Sequence, residues 1–363
     1  MTAPDRPPDR PPVRIAGLAT ALPQHRLDQA TARRAAGELF GGRVADFERL
    51  AAVFDRAGVR SRALAQPLTW YYDPHGWAER TAVFVKVATD LLEQAIGEAL
   101  ARAGLGPEAV DLLVVLSSTG IATPSLDSRL AGRLGLRADV ARLPVFGLGC
   151  AGGALGLARG AALARSRPGS VVVVATVELC SLILRLDDLS KTSLVANALF
   201  GDGAAAAVLV AEEGRAAAPA IAAWGEHQWP DSLDVMGWRV DDAGLGVVMA
   251  RAIPDLVRRE LAAVADRFLD GIGRHRSNLA AVAAHPGGAR VLDALDAVFG
   301  DGMAGLDAAR AVLAEHGNMS APTVLFVLER VLAARPPGPV LATALGPGFT
   351  AGFLLIEPGG EGP

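Results

Sequence analysis

A cysteine framed by glycines stands in Gly147-Leu148-Gly149-Cys150-Ala151-Gly152-Gly153, between the strand-like Pro144–Phe146 and a run of Ala, Leu and Arg with helical character. The glycines permit a tight turn and close approach of another backbone. A thiol at a helix N-terminus has its thiolate favoured by the helix dipole and by free N–H groups, the setting of a nucleophile. Most lone cysteines are buried packing residues, and they lack such a frame. Cys180, the second of two cysteines, has none and reads as packing or pocket lining. The same stretch spells one Gly-x-Gly-x-x-Gly, Gly147 to Gly152. A lone dinucleotide fingerprint is weak, and this one encloses Cys150, so it reads as the nucleophile's frame.

His285 lies in Ala-Ala-His-Pro-Gly-Gly, directly after an apolar run. Alone it is more often a surface-loop residue, but Pro-Gly-Gly stops regular structure and favours a held imidazole. None of His25, His75, His227, His275 and His316 has a comparable setting, although His316 adjoins Gly317-Asn318. Asn318, in Gly-Asn-Met-Ser-Ala-Pro, is equally a helix N-cap by its residue type. Cys, His and Asn together form a recurring set. A thiolate carries an acyl group while an imidazole and an amide donate hydrogen bonds to an oxyanion.

These side chains need a scaffold. The chain has 363 residues, enough for roughly two domains with large cores. It is 51% apolar and 20% charged, which excludes disorder for most of its length. Mean hydropathy is +0.31, yet no apolar run nears the ~18 residues of a membrane span. A net charge of −4 carries no footprint of nucleic-acid binding. Two cysteines make neither a disulfide framework nor a four-cysteine zinc site. With no signal peptide, the expectation is a reduced, cytoplasmic protein. Residues 1–12 read as a Pro-rich disordered tail, and the end, EPGGEGP, frays similarly.

Between the tails, apolar β-type runs alternate with helical patterns, so the class is α/β. Strands are expected at 111–117, 170–176, 204–210, 280–284 and 353–356, and helices at 85–103, 151–165, 255–272 and 324–334. The strands are mostly apolar throughout, as strands buried on both faces are. The sequence also repeats. At a shift of 168, DLLVVLSSTG falls on LAAVAAHPGG, GLGCAGG on EHGNMSA, and SRPGSVVVVAT on ARPPGPVLATA. Both halves close with a Gly-x-Gly turn and a strand at a shorter offset. The duplicated halves are placed at 13–215 and 216–358. Packed about a pseudo-two-fold axis, they would set equivalent helix N-termini face to face, and the position equivalent to Cys150 is Asn318. His285, after a second-half strand, emerges into the same cleft.

GLGCAGG, HPGG and GNMSAPTVLFVLER, with FGDGAAA and the terminal GPG, resemble the type III polyketide synthases, the chalcone and stilbene synthase family. The resemblance runs from Val13 to Ile356, with the motifs in the family's order. STGIATPS, PVFGLGCAGG and VELCSL are most similar to bacterial members, among them the alkylpyrone and alkylresorcinol synthases. It implies a thiolase-like fold, a duplicated αβαβα architecture of five layers. It also implies a homodimer, acyl-CoA and malonyl-CoA as substrates, and no metal or redox cofactor.

Residue by residue, the resemblance makes Cys150 the nucleophile, His285 the partner base and donor, and Asn318 the second donor. Phe200 matches the gatekeeper phenylalanine, whereas the second gatekeeper is Val247 here, a departure that widens the cavity mouth and disfavours an aromatic starter. Cys180 and Ile183 stand where plant members carry threonines, and Trp238 near a small glycine, as a cavity-shaping residue. A more apolar pocket favours a fatty acyl starter, at about 0.8 kcal/mol per buried CH2. Gly346, Pro347 and Gly348 fit the family's GFGPG loop, with Ala344 and Leu345 replacing its first two residues. Arg49, Arg56, Arg60 and Arg62 fall where the family clamps the coenzyme A nucleotide. Arg56 and Arg60 share a face if their segment is helical, and a merely solvated face is the alternative.

The implied reaction loads an acyl group on Cys150, extends it with malonyl-CoA by decarboxylative condensation, and closes an alkylpyrone or alkylresorcinol. A ketoacyl synthase of the fatty-acid initiation type shares the chemistry, but follows its histidine with Gln-Ala-Asn where Pro286-Gly287-Gly288 stands here. An acyl-CoA thioester hydrolase would use Cys150 with water as acceptor. A non-catalytic acyl-CoA-binding homologue would have no need of all three reactive residues.

Overall fold

The computed structural model describes residues 11–212 and 215–360. Apart from Pro11 and Pro12, the tail expected at 1–12 lies outside the described residues. At the other end the chain stays attached through Gly360, whose N–H donates to Ala216 O (2.9 Å), and the last residues, 361–363, lie outside the description.

The first half runs β1 (Val13–Ala21), β2 (His25–Asp28), α1 (Gln29–Phe40), α2 (Phe47–Arg56), β3 (Ser61–Leu64), α3 (Trp77–Ala103) and β4 (Val110–Ser117). It continues through α4 (Leu126–Leu134), β5 (Ala141–Phe146), α5 (Gly152–Ser166), β6 (Val171–Leu179), α6 (Lys191–Leu199) and β7 (Asp202–Ala211). The second half opens with β8 (Ala220–Gln228), a hairpin of β9 (Met236–Asp241) and β10 (Gly244–Met249), and the helices α7 (Ile253–Leu256) and α8 (Ala262–Asp270). It closes with β11 (Ala281–Ala284), α9 (Ala289–Phe299), α10 (Leu306–His316), α11 (Thr323–Ala333), β12 (Val340–Gly346) and β13 (Thr350–Glu357). The single helix expected at 255–272 is interrupted by a π turn over Val257–Leu261.

Nine strands form one sheet in the order β11-β12-β13-β8-β1-β7-β6-β4-β5. The duplication is written in its pairing. In the first half β4 runs parallel to β6, and β6–β7 and β7–β1 are antiparallel. In the second, β11 runs parallel to β12, and β12–β13 and β13–β8 are antiparallel. Among the described residues the second half has no counterpart of β5, which continues the first half as its parallel edge strand.

The central strands β4, β6 and β7 are apolar along most of their length because each face meets a helix layer. Along β6, Val172 and Val174 enter one core, while Val171, Val173 and Ala175 enter the other. The outer face of the first half is covered by α3 and α4. On the inner face α5 packs against β4, β6 and β7 of its own half, against β12 and β13 of the other, and against α11. The result is the five-layer αβαβα arrangement, with α5 and α11, equivalent helices of the two halves, in the middle layer. Both begin beside the reactive residues. No helix among the described residues is long and apolar enough to cross a membrane.

Candidate active site

β5 delivers the chain into a tight turn at Gly147–Ala151, and α5 starts at Gly152. Gly149 sits at φ +45, and a Cβ there would lie 2.7 Å from the Pro347 ring. At Gly153 a Cβ would stand 2.3 Å from Ala321 O, so the glycine lets α5 press against the segment that follows Asn318. The loop Gly346–Gly348 covers this turn: a Cβ on Gly346 would be 2.6 Å from Ala151 N. Of the loop expected as pocket lining, Gly346 and Pro347 pack on the turn that carries Cys150, whereas Gly348 lies against Gln228 and Leu233. None of the three lines the cavity described below.

Cys150 Sγ lies 4.0 Å from Asn318 Oδ1. The asparagine is 3% exposed and held from every side. Its N–H donates to Leu199 O (2.9 Å), and its own carbonyl accepts from Gly201 N (3.0 Å). Oδ1 accepts from Ser320 N (2.7 Å), and Nδ2 reaches Gly287 O at 3.4 Å, two residues beyond His285. His285 is anchored by its backbone N–H to Thr343 O (2.8 Å). Both of its ring nitrogens are buried without a hydrogen-bond partner among the described residues. His316 turns elsewhere, tilted against Phe326 and beside Glu315 and Arg330.

The resting protonation differs from the sequence expectation. Burial pushes the Cys150 thiol up to about 11, against the lowering expected from the helix N-terminus, with hydrogen bonding at Ser320 opposing and the charge of Glu178 adding to the rise. Burial also holds the His285 imidazole down, at about 3. Both groups therefore rest neutral at ordinary pH.

Glu178, passed over within VELCSL, is the unanticipated neighbour. It is fully buried, accepts from Ser118 N (3.0 Å) and Thr119 Oγ1 (2.7 Å), and burial raises it to about 7. Ser118 Oγ in turn accepts from Gly149 N (3.0 Å), so this carboxylate is linked to the turn that carries Cys150. Asp202 is a second buried acid, raised by burial to about 6. It accepts from Ala65 N (2.6 Å) and Ser181 N (2.8 Å). An acid adjoining a long apolar run, after it for Glu178 and before it for Asp202, is the sequence signal that could have found both.

A cavity adjoins this centre. Phe200, Cys180, Ile183, Trp238 and Val247 all line it. Trp238 and Val247 are direct cross-strand partners in the β9–β10 hairpin, and that hairpin is fastened by Arg185, whose guanidinium takes both oxygens of Asp241 (2.7 and 2.8 Å). Leu27, Ala32, Ala35, Leu39, Phe40 and Phe54, from the α1–α2 side, supply an apolar far wall.

The four arginines part company. Arg49, Arg56 and Arg60 are exposed. Arg56 and Arg60 do not share a helix face, because α2 ends at Arg56 and Gly58 follows at φ +77. Arg62 leaves the set altogether. It is 2% exposed, donating to the carbonyls of Asn197 (2.7 Å), Phe200 (3.0 Å) and Ala198 (3.0 Å) and to the Gln29 side chain, so it cannot meet a solvent-borne phosphate.

The profiles of the chalcone and stilbene synthases match this sequence, the N-terminal domain over residues 68–213 and the C-terminal domain over 225–357. The chain belongs to the chalcone and stilbene synthase family. It is a type III polyketide synthase, a malonyl-CoA-dependent acyltransferase that forms carbon–carbon bonds. The synthase is 41% identical over 349 residues to a 1,3,6,8-tetrahydroxynaphthalene synthase of Streptomyces peucetius subsp. caesius, spanning 94% of this chain and 92% of that one. It is 34% identical over 357 residues to a putative chalcone synthase of Bacillus subtilis (strain 168), spanning 94% and 98%. The crystal structure of the tetrahydroxynaphthalene synthase of Streptomyces coelicolor A3(2) superposes with a TM-score of 0.89 at 25% identity, covering 96% of this synthase and 100% of that chain.

Proposed function

We propose that this synthase loads a starter acyl group onto Cys150, extends it with malonyl-CoA and closes the chain to a ring. The observation that carries the reading is Cys150 Sγ 4.0 Å from Asn318 Oδ1, and it is supported by the two ring nitrogens of His285, which are buried and unpaired among the described residues. As sulfur attacks the starter thioester, His285 takes the S–H proton and passes it to the departing coenzyme A. In extension, the His285 ring N–H and Asn318 Nδ2 donate to the thioester oxygen of malonyl-CoA. Loss of carbon dioxide leaves an enolate with its charge on that oxygen. The enolate carbon attacks acyl-Cys150 and the C–S bond breaks, which frees the Cys150 sulfur and leaves the longer chain as a coenzyme A thioester. The sulfur then attacks that thioester, coenzyme A departs with the proton that His285 carries, and the chain is again on Cys150.

The starter in this reading is a fatty acyl group and the product an alkylpyrone or alkylresorcinol, supported by the apolar far wall of the cavity. A second reading is favoured by the 41% identity to a tetrahydroxynaphthalene synthase, whose named product has no alkyl tail: a small starter in place of a fatty one. Arg49, Arg56 and Arg60 are the candidates for the coenzyme A nucleotide. A homodimer belongs to the same proposal: β5 is an edge strand with Phe146 56% exposed, and Ile121 is 55% exposed. Phe146→Asp then yields a monomer by light scattering.

The deciding experiment offers a panel of acyl-CoAs with labelled malonyl-CoA and reads product masses. Tailed products from fatty starters support the first reading, and a tail-free product from malonyl-CoA alone supports the second. Under the first, Val247→Trp or Ile183→Trp lowers kcat/KM for long chains about fourfold per displaced methylene and spares acetyl-sized starters. Free acid released without carbon dioxide overturns both.

A further inference from the structure

Helix α6 does not close its own end. Its C-cap, Phe200, is extended rather than left-handed, and no basic residue stands in its last turn. The Ala196 carbonyl accepts from Phe200 N (2.9 Å), and the carbonyls after it are met from outside the helix. Arg62, from β3, donates to the carbonyls of Asn197, Ala198 and Phe200. Gln29 braces the guanidinium through its side-chain oxygen and itself donates to Ala198 O (3.0 Å). A cation at a helix C-terminus is favoured by the dipole, and the planar fork lets one side chain serve three carbonyls. The carbonyl left over is that of Leu199, and it receives the N–H of Asn318.

The same ribbon closes the helix that leads into Asn318. At the end of α10, Arg60 N donates to Ala314 O (2.7 Å), and Ser61 Oγ and Arg26 both donate to Glu315 O (2.9 and 2.8 Å). Gly201 fits between the two ends: a Cβ there would lie 2.3 Å from His316 O and 3.1 Å from Arg62 Cβ. One helix end from each half is thus pinned to β2 and β3, with Asn318 beside both. We infer that Arg62 is a positioning residue for the condensation. By closing the end of α6 it fixes the Leu199 carbonyl and the Gly201 N–H that hold the Asn318 backbone, and so sets that side chain against the Cys150 sulfur. It acts through this backbone alone, since its own bonds go to α6 and Gln29. The inference rests on the reading of Asn318 as a donor in malonyl-CoA decarboxylation.

Arg62→Lys keeps a positive charge near Asp202 but presents one nitrogen in place of the fork. In the full chain, kcat for malonyl-CoA decarboxylation should fall about ten- to a hundredfold, with KM changed less than about twofold. Acyl loading of Cys150, timed by intact mass, should keep its parent rate, which a general loosening of the fold would not allow. In an Asn318→Asp background the same substitution should cost a further factor below about two, because the route it acts through is already cut. Gln29→Met leaves Arg62 in place but unbraced. It should act in the same direction and more weakly, and it carries the test if Arg62→Lys does not fold. Parent-like decarboxylation by both variants, equal losses in loading and decarboxylation, or losses that multiply in full in the double variant overturn the inference and leave Asn318 as the donor. Parent-like decarboxylation by Asn318→Asp alone removes the donor reading, and the inference with it.

Discussion

Phe200 and Asn318 form an isolated parallel bridge between the two halves: Asn318 N–H donates to Leu199 O, and Gly201 N–H to Asn318 O. A residue that lines the cavity and a residue that faces the Cys150 sulfur are thus fastened backbone to backbone. Asn318→Asp keeps that bridge and keeps an acceptor for Ser320 N, but it removes both amide N–H donors and sets a negative charge beside the sulfur. Decarboxylation of malonyl-CoA should fall by about 10²–10³ with the melting temperature little changed. A variant that decarboxylates at the parent rate would exclude Asn318 as a donor.

Cys150→Ala should abolish acyl loading, with turnover lowered at least about 10³-fold. Intact mass after incubation with an acyl-CoA reads the adduct directly. Cys180, the other thiol, is buried and pushed well above its usual range by burial, so it should not substitute. An acyl adduct on the variant would refute the assignment.

His285 gives the stability a pH signature. Its folded value of about 3 lies below the ordinary 6.5, so between these values the unfolded chain binds a proton that the folded chain does not. Its contribution is intact above 6.5 and is lost as pH falls toward 3. Glu178, raised to about 7 from 4.5, acts in the opposite sense, being most favourable to the fold at low pH. The two overlap, so the difference between parent and variant is the clean measure. His285→Gln should gain on the parent by about 1.4 kcal/mol per pH unit below 6.5, in urea unfolding from about pH 7 to about pH 4. Parallel profiles would place the imidazole in solvent.

Glu178→Gln removes a charge that raises the Cys150 thiol. Alkylation of Cys150 by iodoacetamide, located by peptide mapping, should be severalfold faster in the variant at about pH 8. Near pH 6 the rates should converge, because Glu178, raised to about 7, is then mostly protonated in the parent. A slower variant would reverse the sign argued here.

Gly153→Ala is the smallest test of the middle layer. Its Cβ would stand 2.3 Å from Ala321 O and 2.4 Å from Val324 Cγ1, so α5 and the start of α11 must separate. A loss of about 1–3 kcal/mol in denaturant unfolding is expected, with activity falling further than stability. Parent-like stability would mean the layer yields freely.

The central strands were legible because β4, β6 and β7 are buried on both faces and carry uninterrupted apolar runs. Cys150 and Asn318 were legible as a pair because equivalent turns of a duplicated chain keep their offset. β8 was not, since Trp224, Glu226 and His227 interrupt its pattern where it is only half buried. Arg62 looked like one of four surface cations, and nothing in its neighbours reveals that the carbonyls ending α6 would close around it. The partners of Glu178 lie about sixty residues away, across a strand pairing that local pattern does not encode.

Among the described residues, the sheet is stitched across the two halves by two residue pairs, Val13 with Ile221 and Arg14 with Ala220. Cys150 belongs to one half, and Asn318 and His285, the partners proposed for it, to the other. Catalysis is in this sense a docking property of a single chain, and the condensation rate is a gauge of how the halves are seated. Mild denaturant or pressure that lets the seam slip should silence the enzyme while each half still shows its helical ellipticity, leaving an inert protein that looks folded.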